Sequence, residues 1–247
     1  MRLFGSEMTR LASRRLFRWV LVLFIAGLVL AGVLVFVNDD QGTFTRSAMY
    51  DGLQGLSFPL LMFGWLVGAS SIGAEWGNRT VSALLTWEPR RARVLLTKAT
   101  ATTVSTAVWI VALEIVWTAV MLPVASGNVS SFDRAFSWSQ YAQLGGRIVA
   151  VSLVVGLLGF ALATIGRNTG AALGGGMAYL LIVESLVRAF RPAWNDWLLS
   201  TNIFLVIEPG TAGIFDRSTA EAGGVLALYS AGLLLVALWF FRRREMA

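Results

Sequence analysis

The chain has 247 residues, of which 56% are hydrophobic and only 14% charged, against about 25% charged in an ordinary soluble domain. So large an apolar excess needs lipid rather than a bigger core to cover it. Cys and His are both absent, which excludes disulfides, thiol nucleophiles, zinc sites of the usual kind and imidazole acid–base chemistry, and with them most hydrolase mechanisms.

The formal charge of +6 would fit nucleic acid only if Arg and Lys gathered on one folded face. Here they are sorted by the apolar segments instead. Residues 1–18 place Leu3, Phe4, Met8 and Leu11 near one helical face and Arg10, Arg14 and Arg18 on another, the pattern of an amphipathic helix lying on a membrane surface. A bilayer core of about 30 Å takes about 20 apolar helical residues, and lipid requires every backbone amide to be satisfied within its own segment. Six segments qualify, at about 19–37, 53–74, 99–125, 148–166, 169–187 and 222–241. They predict an all-α polytopic protein, a single transmembrane domain over 1–247. The first span runs into Phe36-Val37-Asn38-Asp39 without a small-x-small cleavage site, so it is expected to stay in the mature protein.

Six spans put both termini on one side. Fourteen of the twenty Lys and Arg fall on that side, while Asp39, Asp40, Asp51, Asp133, Asp196, Glu208, Asp216 and Glu221 fall on the other. The positive-inside rule makes the termini cytoplasmic. Gly64-x-x-x-Gly68 and Gly170-x-x-x-Gly174, the second followed by Gly175 and Gly176, have helix-packing spacing and are expected to serve contacts within the chain.

Between spans two and three, residues 75–98 are too elaborate for a turn. Asn78 is a candidate cap for a short helix in which Val81, Leu84 and Leu85 share a side. Glu88 offers a second cap, and Pro89 suits the first position of a helix running through Arg93 and Lys98 into span three. A short amphipathic helix bracketed by Trp76 and Trp87 could dock on a cytoplasmic partner or lie in headgroups. Further along, Glu114 and Glu184 fall within spans three and five, where a carboxylate costs about 2.5–3.5 kcal/mol on insertion scales. For Glu184, four residues before Arg188, an i,i+4 ion pair is the leading expectation. Glu114 has no basic neighbour within a turn, which leaves a pathway role and an interhelical hydrogen bond level. In the outer loop, 188–221, the apolar stretch Trp197 to Ile207 is too short to span.

The segment between spans two and three resembles the corresponding loop of ABC-2-type transporter permeases, a bacterial exporter family with six helices per subunit. There a small-residue helix end leads into an acid and an aromatic, then a Thr, an apolar pair and a Pro trailed by basic residues. Gly73-Ala74, Glu75, Trp76, Thr80, Leu84-Leu85, Pro89 and Arg90-Arg91 occupy those places, with Arg79 where relatives often have Gly. The resemblance extends to the N-terminal helix and the outer loop, which in relatives holds short helices dipping into the outer leaflet. It implies that 75–98 carries a cytoplasmic coupling helix meeting an ATPase subunit through Glu75, Trp76, Arg79, Thr80, Val81, Leu84, Leu85, Trp87, Arg90 and Arg91. It also implies a second permease subunit, alike or not, and a location in the bacterial plasma membrane. No G-x-x-x-x-G-K-[ST] is present, so ATP and Mg are expected on the partner, and this subunit is expected to be non-catalytic and without a cofactor. A self-contained ion-coupled transporter or channel using Glu114 and Glu184 is the alternative. A membrane enzyme, lacking any clustered Asp motif, ranks last.

Overall fold

The computed structural model describes residues 2–13, 15–38, 44–78, 80, 90–127, 136–209 and 217–243. Among them the structure is helical, with no strand. A short helix α1 (Arg2–Ser13) leads into α2 (Arg15–Asn38). Then come α3 (Arg46–Gly55) and α4 (Ser57–Gly77), which form one span with a bend at Leu56. The long α5 (Arg91–Gly127) and α6 (Trp138–Gly166) follow. The fifth span is α7 (Thr169–Ala178), a π-helical turn (Tyr179–Val183) and α8 (Glu184–Phe190). After a 3-10 turn (Pro192–Trp197) and the short α9 (Leu199–Ile207), α10 (Thr219–Arg243) closes the chain. Six of these helical stretches are long and apolar enough to cross a membrane, consistent with a multi-pass membrane protein.

The helices outrun the apolar segments that reveal them. Span four begins at Trp138 rather than 148, and α5 has 37 residues. At about 1.5 Å per residue α5 greatly exceeds a ~30 Å core, so its Arg91–Lys98 turns reach the end of the bundle that also carries α1 and the C-terminal turn of α10. We call this the basic end. Pro123 lies inside α5, four residues before its end, and has no amide to offer the Ala119 carbonyl one turn back.

The centre of the bundle is the α4–α6 contact, and glycine makes it possible. A Cβ on Gly64 would stand 2.9 Å from the Ser152 carbonyl, and one on Gly159 would stand 2.7 Å from that of Trp65; one on Gly68 would run into the backbone of Gly156. Backbones this close gain dispersion contacts that lipid cannot replace. Leu60, Leu61, Val67 and Ile72 of α4 pack there with Ile148, Val155 and Phe160 of α6 in the buried core. By contrast α2 leaves Leu23, Leu30, Phe36 and Val37 exposed, the surface of a helix that is apolar all round and turned to lipid.

The first glycine motif packs within the chain as expected, but the second does not. Gly170 meets only its own cap, Asn168 Oδ1, Gly174 and Gly175 have open space where a Cβ would go, and it is Gly176 that is pressed against the Trp65 ring. The spacing alone cannot say which helix face turns inward. Helix α1 also differs from its expected surface pattern. Leu11 and Glu7 are buried against the bundle and Met8 is half-buried, accepting a hydrogen bond from Ser105 Oγ at 3.3 Å, while Phe4 stays exposed.

Gly68→Leu forces the α4 and α6 backbones apart and is expected to cost at least the ~1–3 kcal/mol of an overpacked core. Gly174→Ala is expected to leave stability unchanged or slightly raised. Thermal unfolding of the detergent-solubilised protein separates the two.

Candidate functional site

At the basic end, where the segment between α4 and α5 leaves and rejoins the bundle, four charges meet. Glu75 is in the last turn of α4, Lys98 two turns into α5, and Glu7 and Arg10 on α1. The Lys98 ammonium lies 2.7 Å from Glu7 Oε1 and 2.8 Å from Glu75 Oε2. Arg10 pairs with Glu75 Oε1 and stands 3.7 Å from Glu7. Glu7, Glu75 and Lys98 are 5%, 3% and 3% exposed. The site is neutral overall, and each buried carboxylate has the ammonium as a direct partner, the condition under which burying charge is tolerable.

Around this cluster the other helix ends are fastened. Thr80 Oγ1 donates to the Glu75 carbonyl at 3.3 Å, taking up an acceptor at the close of α4. The Trp76 ring packs edge-on against Phe241 of α10, centroids 6.0 Å apart, and the Arg167 guanidinium sits 4.9 Å from its centroid. Arg167 occupies the turn between α6 and α7 with φ 53°, a left-handed conformation that ends α6 in the position Gly usually fills. Arg91 Nη1 donates to the Arg242 carbonyl at 3.1 Å. The Arg90 carbonyl accepts the first amide bond of α5, from Val94 at 3.2 Å.

Of the residues expected to meet a partner, Glu75 and Trp76 are thus turned into the chain's own packing, Thr80 and Arg90 are exposed, and Arg91 is half-buried. Arg79, Val81, Leu84, Leu85 and Trp87 lie outside the described residues. Glu7 and Lys98 were not singled out as site residues from sequence. They are 91 residues apart, and the only signal is that Glu7 is the sole acid before Asp39 and Lys98 the sole lysine.

The two carboxylates within spans have different surroundings. Glu184 is 1% exposed. Its Oε1 accepts the Ser200 amide at 3.1 Å, while Oε2 accepts the Ser200 hydroxyl and, at 3.4 Å, Arg188. The expected i,i+4 pair is present, yet the carboxylate chiefly caps the first turn of α9 across the chain reversal. The π turn before it makes this possible, since one extra residue rotates the helix by about 100°. Leu181 and Ile182 then face outward and Glu184 inward. Around the same reversal Asn202 Nδ2 donates to the Asp196 and Leu198 carbonyls, and Tyr229 Oη donates to the Trp197 carbonyl at 2.8 Å.

Glu114 faces α6, with Oε2 3.0 Å from where a Cβ on Gly145 would stand. Its Oε1 is buried without a hydrogen bond among the described residues. Nearby, Thr118 Oγ1 is bonded to the Glu114 carbonyl at 2.8 Å and to Tyr141 Oη at 2.7 Å. Separately, an apolar cavity of about 230 Å³ opens between α4, the π turn and α9, walled by Phe58, Met62, Trp65, Leu180, Ile203 and Phe204.

Comparison of the sequence with protein-family models and with curated proteins finds no match.

Lys98→Met strands two buried carboxylates on Arg10 and is expected to destabilise the chain by about 3–5 kcal/mol. Combining it with Glu75→Gln and Glu7→Gln should cost clearly less than the sum of the single changes, because the uncompensated charge goes with the lysine. Denaturation of the four variants in one detergent measures the coupling. At the other end, Glu184→Gln keeps one acceptor for Ser200 and is expected to cost less than Glu184→Leu, which leaves the Ser200 amide of α9 without its acceptor while Arg188 keeps Asn195 and the Ser200 hydroxyl.

Proposed function

We propose that this chain is the membrane-spanning subunit of an ATP-driven exporter, with its termini in the bacterial cytoplasm and separate ATP-binding subunits docked on the segment between α4 and α5. The observation that carries this reading is the Glu75–Lys98 pair. A segment that receives motion from a partner can move the spans only if both of its ends belong to one rigid body. The ammonium of Lys98 joins the end of α4 to the start of α5, and α1 with it. In this reading Glu75 and Trp76 position the coupling helix from behind rather than touching the ATPase. Contact falls to Arg79, Thr80, Val81, Leu84, Leu85, Trp87, Arg90 and Arg91. ATP and Mg belong to the partner, and a second six-helix subunit, identical or not, completes the pathway.

The apolar cavity beside α9 favours a substrate with a hydrocarbon part, such as a lipid, an apolar drug or peptide, or another amphiphile. A self-contained ion-coupled transporter draws support from Glu114 alone, whose unbonded oxygen inside a span is the kind of group that takes up a cation or proton. Glu184, committed to Ser200 and Arg188, gives that alternative little.

Co-purification from the native host tests the exporter reading. An ATPase is expected to accompany the chain, and Leu84→Asp or Leu85→Asp to release it while leaving the six-helix bundle folded. Substrate movement by the purified chain alone down an ion gradient, abolished by Glu114→Gln, would transfer the assignment to the ion-coupled class.

A further inference from the structure

The beginning of the chain is strongly basic. Before Asp39 there are Arg2, Arg10, Arg14, Arg15 and Arg18 against the single acid Glu7. That acid is already consumed, since Glu7 is buried beneath Lys98 and Arg10. Arg15 and Arg18 are exposed on the first two turns of α2, and neither makes an ion pair or hydrogen bond with the described residues. They are not scattered. Arg15, Arg18, Trp19 and Val22 recur at i, i+3, i+4 and i+7, one face of the helix, and line an open concavity of about 420 Å³.

We propose that this face of the first turns of α2 is a binding site for an anionic phospholipid. The headgroup phosphate lies between the Arg15 and Arg18 guanidinia, with the glycerol and upper acyl chain against Trp19 and Val22. Charge complementarity argues for an anion. Two planar guanidinia one turn apart match the bidentate geometry of phosphate oxygens, and no carboxylate among the described residues pairs with either. The apolar half of the same face argues that the anion carries its own hydrocarbon. Trp19 is 67% and Val22 53% exposed, and Leu23 beyond them is 70% exposed, so the face runs without interruption from charge into a lipid-facing surface. A soluble phosphate would satisfy the arginines and leave Trp19 and Val22 bare. An acidic protein would have to follow the same face into the bilayer. Trp at the headgroup level with Arg beside it is the arrangement expected at a membrane boundary. The site does not depend on the exporter reading or on which leaflet the basic end meets.

The test uses the full chain in nanodiscs of phosphatidylcholine with phosphatidylglycerol as the minor lipid, followed by mild detergent extraction and native mass spectrometry of the lipid retained. Phosphatidylglycerol is expected to be kept in preference to phosphatidylcholine. Retention should fall about five-fold for Arg15→Gln or Arg18→Gln and about 25-fold for both, as expected when each basic residue contributes about 1 kcal/mol toward an anionic surface. Arg243→Gln, which removes a guanidinium 4.6 Å from the Trp239 ring, should change nothing. Equal retention of the two lipids, or wild-type retention by the double variant, overturns the proposal. Displacement of the lipid by inorganic phosphate or by a polyglutamate peptide also overturns it, marking a soluble-anion or a protein site. If the double variant fails to insert, a salt titration of the wild type decides. Retention that falls with ionic strength supports the site, and retention indifferent to salt sinks it.

Discussion

A single ammonium held between two carboxylates fixes the basic end of this bundle. Taking Lys98, Glu7 and Glu75 out of water costs several kcal/mol per ion unless each finds its partner, so the cluster tolerates little displacement of any element that contributes to it. Helix α1 cannot slide along the bundle without exposing Glu7. The end of α4 cannot separate from α5 without stranding Glu75. Hydrophobic contacts around the cluster, such as Leu11 and Val94, set the depth of packing but would accept many registers. The charges select one.

From that fixed end the constraint passes up the bundle through α4. Its C-terminal turn carries Glu75, and its middle carries Gly64 and Gly68 against α6. Glycine contacts of this kind leave no compressible side chain between two backbones, so α4 and α6 behave as a pair. The remaining spans are attached more loosely. The exposed faces of α2, the π turn and α10, with Leu23, Leu181 and Leu235 outward, are left for lipid or another chain. The bundle is therefore a stiff two-helix centre with a peripheral set whose outer surfaces are uncommitted.

Span number and helical class were legible because both are written locally, in the length of apolar runs and the cost of bare amides in lipid. The i,i+4 pair of Glu184 with Arg188 was legible for the same reason. What could not be read depended on chain reversal. Ser200 reaches Glu184 only because the Pro192–Trp197 turn brings α9 back across the end of α8. Likewise Lys98 reaches Glu7 only once three helices have folded together. Glu75 was visible as a notable residue but not its direction, since an acid at a helix end is equally compatible with a partner outside and a lysine inside. Trp76, expected on an outer rim, is claimed by Arg167 from the turn after α6 and by Phe241 from the last helix.

The two ends of the molecule use one device. A glutamate in the last turns of a span is buried by a short helix that does not itself cross the membrane: Glu75 by α1 at the basic end, Glu184 by α9 at the other. In each case the carboxylate converts a surface helix into part of the span's own rigid body, through Arg10 and Lys98 in the first and through the Ser200 amide in the second. The conversion differs in strength. The basic-end cluster balances two cations against two anions in a nearly dry site, whereas Glu184 relies on a half-exposed Arg188 and a helix-end amide. A displacement applied at the basic end would therefore be transmitted by α4 with little loss, and the compliant joint in the fold would be the π turn and α9 rather than the basic end.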